Sequence, residues 1–468
     1  MENTKFYHLF SSLNAAEKRA LKKWVHSPIA NQHEEVSAVF DYLFSKKYLN
    51  GSIIQKEKVF RHLYPKRSYD DLRFRHLLAN CTKCLENFLC YHEFLSDKNA
   101  SSVYLIKALE KHHQDKYAIA LLSEKKQAHD SAIYDSNSVF AAIEMEKTEF
   151  NLHSKNTRDK GFNLQKISDL LHQYTQTELL KIACLAVTHQ QLSAVQYSFP
   201  LLNEILKNTE INYDTVSLAH KIYYMIYRSL TEHDNEATIL GLKEILLTAS
   251  NHFLPEELRD IYLLTINQCI KKLNSGNAAM ASIAYELYQL LIKADLLLQN
   301  NELDRFAFTN IVFTGLMVKD FKGIEKFITR NAAYLPDEYR ESIVSMATAR
   351  LYYTQQLYKK AVTVLLQTQF NDFLMSISAR LLLTKIYIET HDVETAENHI
   401  SAFKKYLQKQ KNIGYHKERI LKFLASCTEL ISLQYASKKQ RKILEAQLSN
   451  DDSLIEKQWL LEQLKKIL

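Results

Sequence analysis

Glycine and proline are the residues this chain uses least, with seven Gly and five Pro in 468 positions. Tight turns, β-hairpins and βα loops are made from these two residues, so their scarcity argues against a sheet-rich fold. All five prolines (Pro28, Pro65, Pro200, Pro255, Pro336) fall between periodic segments, where a helix tolerates them. The glycines are too dispersed for a G-x-G-x-x-G or Walker-type loop, which excludes a Gly-rich cradle for nucleotide phosphates. Long apolar runs are also missing. The most apolar stretches, such as 290–298, are broken by charges like Lys293 and Asp295, so no membrane span is expected. Residues 1–14 include Glu2, Lys5 and His8 and have no apolar core, unlike a secretory signal.

Signatures of chemistry are equally sparse. There is no G-x-S-x-G, no H-E-x-x-H and no paired Cys/His arrangement. Cys81-x-x-Cys84, with Cys90 nearby, lacks the further ligands a structural zinc needs, so these are read as packing thiols on a helix. Six scattered cysteines suit a reducing compartment, and the expected location is cytoplasmic. His112 and His113 are adjacent, about 100° apart on a helix, and make no joint site. The acid pairs Glu34-Glu35, Asp70-Asp71, Glu256-Glu257 and Asp451-Asp452 are each expected at a helix start, where the macrodipole favours them. The chain is therefore expected to be non-catalytic, with no metal and no cofactor.

What remains is helix. At the N-terminus Asn14 precedes Glu17 and Asn31 precedes Glu34 by three residues, both spaced as capping boxes. After Asn31, the positions of Val36, Val39, Phe40, Leu43 and Phe44 trace one apolar helical face. Ser68, three before Asp71, is expected to open a long helix over about 69–95 that buries Phe74, Leu77, Leu78, Cys81, Leu85 and Phe88. Helical pairs continue to 335. Phe253-Leu254-Pro255-Glu256-Glu257-Leu258-Arg259 is echoed by Tyr334-Leu335-Pro336-Asp337-Glu338-Tyr339-Arg340, each Pro at a helix start.

Residues 343–410 state one pattern twice. Tyr352, Ala361 and Leu365 recur as Tyr387, Ala396 and Ile400, with polar turns at Gln355-Gln356 and His391-Asp392. The Ala permits close approach of two antiparallel helices. This period resembles the tetratricopeptide repeat, whose helix–turn–helix units stack into a solenoid. Ile324 departs from the pattern, standing where the small Ala belongs. The opening, with Glu17-Lys18-Arg19, Trp24, Ser27-Pro28 and Asn31, is similar to the start of some uncharacterised bacterial helical proteins and brings no function.

The expected fold is all-α, a right-handed α-solenoid of helix–turn–helix repeats behind an N-terminal helical cap module. Its parts are a head at 1–98, irregular hairpins at 99–335, tetratricopeptide-like repeats at 336–411, and basic C-terminal helices with a cap at 412–468. The family resemblance implies a concave groove lined by the first helix of each pair, which grips a protein or peptide partner. Carried over residue by residue, it makes Arg350, Tyr353 and Lys385 groove-facing, the two cations ~10 Å apart and suited to an acidic segment. A second surface is basic. Between 401 and 450 eleven Lys/Arg meet three Asp/Glu. The run Lys404, Lys405, Lys409, Lys411, Lys438, Lys439, Arg441 and Lys442, with Lys417, Arg419 and Lys422 between, suits either a solvated face or contact with nucleic acid.

Overall fold

The computed structural model describes every residue except 2, 46–54, 130–135, 156–160, 192, 233–235, 371, 410–414, 434–437, 452–453 and 468; side chains at 127–129, 250, 415–416, 438–439 and 467 are also left undescribed. Among the described residues there are 23 α-helices and no strand. The chain is all-α. No helix is long and apolar enough to cross a membrane among the described residues. The chain divides into two compact units, Met1–Glu178 and Leu179–Leu468.

The first unit holds α1 (Lys5–Ser12), α2 (Ala15–Val25), α3 (Glu34–Phe44), α4 (Lys56–Leu63), α5 (Asp71–Ser96), α6 (Lys98–Lys111), α7 (Asp115–His129), α8 (Ser136–Ser154) and the start of α9 (Leu164–Gln190). Asn14 caps α2 as its spacing predicts: its side chain accepts from the Ala16 and Glu17 N–H groups, and Glu17 accepts from the Asn14 N–H at 2.7 Å. Asn31 does something else. Its amide donates to the Val25 and His33 carbonyls and to Ser37, tying α2 to α3, while α3 starts after His33 without a side-chain cap. Asp70, two residues beyond the expected Ser68, caps α5 by accepting from Arg73 N–H. The six apolar residues expected inside α5 are all buried, joined by Cys84. They meet Phe6, Phe10, Phe40 and Phe60 in one aromatic core. A second core joins α6, α7 and α8 through Val103, Ile106, Leu122 and Met145.

The second unit continues with α10 (Leu202–Ile211), α11 (Leu218–Thr231), α12 (Glu236–Ala249), α13 (Pro255–Asn274), α14 (Met280–Lys293), α15 (Arg305–Met317), α16 (Phe321–Asn331), α17 (Asp337–Thr354), α18 (Tyr358–Gln367), α19 (Phe373–Glu389), α20 (Val393–Lys409), α21 (Tyr415–Ser432), α22 (Lys438–Asn450) and α23 (Lys457–Ile467). Its packing repeats. α11 meets α12 and α13, α15 meets α16 and α17, and α17 meets α18 and α19. In these three places a helix packs on its successor and on the helix after that, as in a helical repeat.

The turns repeat as well. Gln356 and His391 take left-handed backbone conformations (φ 61° and 56°). Leu357 N–H then bonds back to the Tyr352 carbonyl and Asp392 N–H to that of Tyr387, closing α17 and α19 in the same way. Lys319 (φ 63°) closes α15 identically, with Asp320 N–H on the Gly315 carbonyl. These crossed bonds satisfy the last carbonyls of a helix and reverse the chain within three residues. Ala361 and Ala396 are fully buried where their hairpins cross. In the α15–α16 hairpin Ile324 replaces that Ala, and the space comes from the other helix: a Cβ on Gly315 would lie 2.3 Å from Ile324 Cδ1. The small residue has changed sides.

Pro255 is the first residue of α13, as expected, while Pro336 sits one residue before α17. The expectation for Asp451-Asp452 is corrected. Asp451 follows the last residue of α22 and pairs with Lys422 at 3.3 Å; Asp452 lies outside the described residues.

Candidate functional site

The first helices α15, α17 and α19 lie side by side, and between them opens a cleft of about 420 Å³. Arg350 and Tyr353 are three apart on α17 and Lys385 follows on α19, so helical spacing points all three toward the same space. Arg350, Tyr353 and Lys385 all line this cleft. Phe313, Leu316 and Met317 of α15, with Leu381 and Leu382 of α19, supply an apolar wall. Phe313 and Met317 are 39% and 40% exposed, so this wall faces solvent.

The two cations differ in kind. Lys385 is only 13% exposed and bonds Glu456 at 3.0 Å. Its ammonium also stands 5.4 Å from the centre of the Tyr353 ring and 5.3 Å from that of Trp459. Lys385 is therefore not the exposed cation that its position suggests: the chain neutralises it with its own carboxylate. Arg350 is half-buried, and among the described residues its guanidinium has no hydrogen bond or ion pair. Burial lowers its pKa against the opposing pull of Glu456, yet a guanidinium remains charged at any physiological pH.

Behind the cleft sits Glu389, the last residue of α19. Its carboxylate accepts from Tyr353 Oη at 2.5 Å, Tyr358 Oη at 2.6 Å and Trp459 Nε1 at 2.5 Å. Burial, followed by the bond to Glu389, pushes Tyr358 up to about 12 and raises Tyr353 further, so both phenols stay protonated donors. Three neutral donors on one carboxylate fasten α23 to α17, α18 and α19. This hub was not legible beforehand, because Glu389 and Trp459 are 70 residues apart. Neither belongs to a motif, and Glu456 is marked only by its left-handed backbone (φ 54°).

The basic run is divided among α20, α21 and α22. Lys405 and Lys409 of α20 are exposed, and Lys404 reaches Thr428 at 3.5 Å. On α22 Arg441 is half-buried and Lys442 exposed. Lys422 pairs with Asp451. α20 packs on α21, and α22 on α23. Lys411 lies outside the described residues, as do the side chains of Lys438 and Lys439.

Cys81 and Cys84 are buried and unbridged, and burial raises both thiol pKa values. Burial thus disfavours the thiolate form of both side chains. Among the described residues no group of three or more His, Cys, Asp or Glu is placed to hold a metal ion. Comparison with known protein families, curated proteins and solved structures finds no match.

Proposed function

We propose that this protein is a non-catalytic helical-repeat scaffold that binds a protein or peptide through the cleft on α15, α17 and α19. The observation that carries this reading is Arg350: a half-buried cation whose guanidinium has no hydrogen bond or ion pair among the described residues, beside apolar side chains left open to solvent. Desolvating a charge costs free energy that the attraction of Glu456 offsets only in part, and an incoming anion would offset more of it. The hairpins of the second unit are read as stacking in the right-handed sense of a tetratricopeptide-like α-solenoid. The shared turn closures and the buried Ala361 and Ala396 support that resemblance. Six unbridged cysteines, five of them buried, favour the reducing cytoplasm as its location.

Affinity capture with the full chain, compared with its Arg350→Glu variant, tests the reading. Loss of the same captured protein on charge reversal supports it; identical capture by both removes the cleft from the account. Nucleic acid is the competing partner, through the exposed Lys405 and Lys409 and their neighbours. RNA or DNA binding that collapses between low and moderate salt, with no captured protein, would favour it instead.

A further inference from the structure

The partner chemistry can be narrowed, on the premise that the cleft is a binding site. Among the ionisable side chains lining it, two cations face one carboxylate, and Glu456 is committed to Lys385. The lining is left with one net positive charge, and Arg350 is the cation that has no hydrogen bond or ion pair among the described residues. A guanidinium fork matches the two oxygens of a carboxylate, and a single surplus charge suits a single anionic group better than a chain of phosphates.

The wall beside it is longer than the cleft. Phe306, Phe313 and Met317 lie seven and four residues apart, on one face of α15. All three are exposed, Phe306 by 63%. At 1.5 Å per residue they form a strip about 16 Å long. Leu374, at the start of α19, is 64% exposed. A strip of this length is more than a small molecule covers, and it fits a segment of polypeptide with apolar residues on one side.

We propose that the cleft takes an amphipathic peptide segment of a partner protein, seating one Asp or Glu carboxylate on Arg350 and large apolar side chains along Phe306, Phe313 and Met317. Lys385 holds Glu456 in place and takes no direct part.

Selection from random peptides of about twelve residues, displayed against the full chain, tests this, with the affinities of the winners measured by fluorescence anisotropy. Expected winners carry one acidic residue among large apolar ones. Arg350→Gln and Phe313→Ser are each expected to weaken them roughly tenfold or more, the worth of a charge-assisted bond or a buried aromatic anchor. Both variants should keep the helical circular dichroism and melting temperature of the parent, since Phe313 is already open to water. Winners without an acid, or affinities unchanged in both variants, would overturn this assignment while leaving the protein a peptide binder. Failure to enrich any peptide would overturn the binding reading as well.

Discussion

Gly315 and Ile324 show how a single atom sets the distance between two helices. A methyl group on Gly315 has no room, with Ile324 Cδ1 at 2.3 Å and a Tyr285 ring carbon at 2.8 Å. Gly315→Ala is therefore expected to destabilise the second unit by about 1–3 kcal/mol, the usual cost of overpacking. Ile324→Val in the same chain should recover part of the loss, and denaturant unfolding of the single and double variants measures the coupling. In the first unit Glu146 is the residue to change. Its side chain is 3% exposed and meets Lys126 at 2.7 Å and Lys166 at 2.8 Å. Burial alone would raise its pKa, but hydrogen bonds from Lys126, Lys166 and Asn163 outweigh that and hold it at about 2. A carboxyl depressed in the folded state stabilises it above the unfolded pKa, here 4.5, and loses that contribution as pH falls toward about 2. Glu146→Gln should cost about 3 kcal/mol at neutral pH, near the lower end for a broken buried pair. It should also flatten the acid limb of the first unit's stability profile.

At the scale of elements, α23 is held by side chains more than by its own length. Trp459, Leu460 and Leu464 enter a core with Phe403, Phe423 and Leu430, and Glu389 fixes the Trp459 indole. Trp459→Phe keeps the ring but removes the donor, and Glu389→Gln removes the charge that three donors share. Each should cost about 1.5–3 kcal/mol, the range for a hydrogen bond to a charged group. The damage should be local. Amide hydrogen exchange is expected to speed up across 457–467 while Ile222, Ile261 and their neighbours in α11 and α13 keep their protection. Equal loss everywhere would show that α23 is not a separately latched element.

For the molecule as a whole, the two compact units predict separable responses. Glu146→Gln should move only the unfolding of 1–178, and Gly315→Ala only that of 179–468, as followed by exchange mass spectrometry through a denaturant series. If both variants shift both parts equally, the chain unfolds as one cooperative body despite having separate cores.

The all-α class followed from composition alone, since few Gly and Pro leave helices as the main way to bury so many apolar residues. Helix faces were legible because burial repeats every three to four positions, as with Phe74, Leu77, Cys81 and Phe88. Caps were legible where the side chain had no other use, as at Asn14, and misleading where it did, as at Asn31, whose amide spans two helices. The repeat spacing gave Arg350 and Lys385 equivalent positions on successive first helices, and both line one cleft. These are local properties, set by groups within a few residues of one another or copied from one hairpin to the next.

What only the tertiary structure decided is how the charges divide. Lys385 and Glu456 are 71 residues apart, and nothing in either's neighbourhood announces the pair. Yet that pair leaves Arg350 as the cleft cation without an ion pair among the described residues. An ion pair depends on where two side chains end up, which the packing of whole helices determines, whereas helix formation depends only on near neighbours.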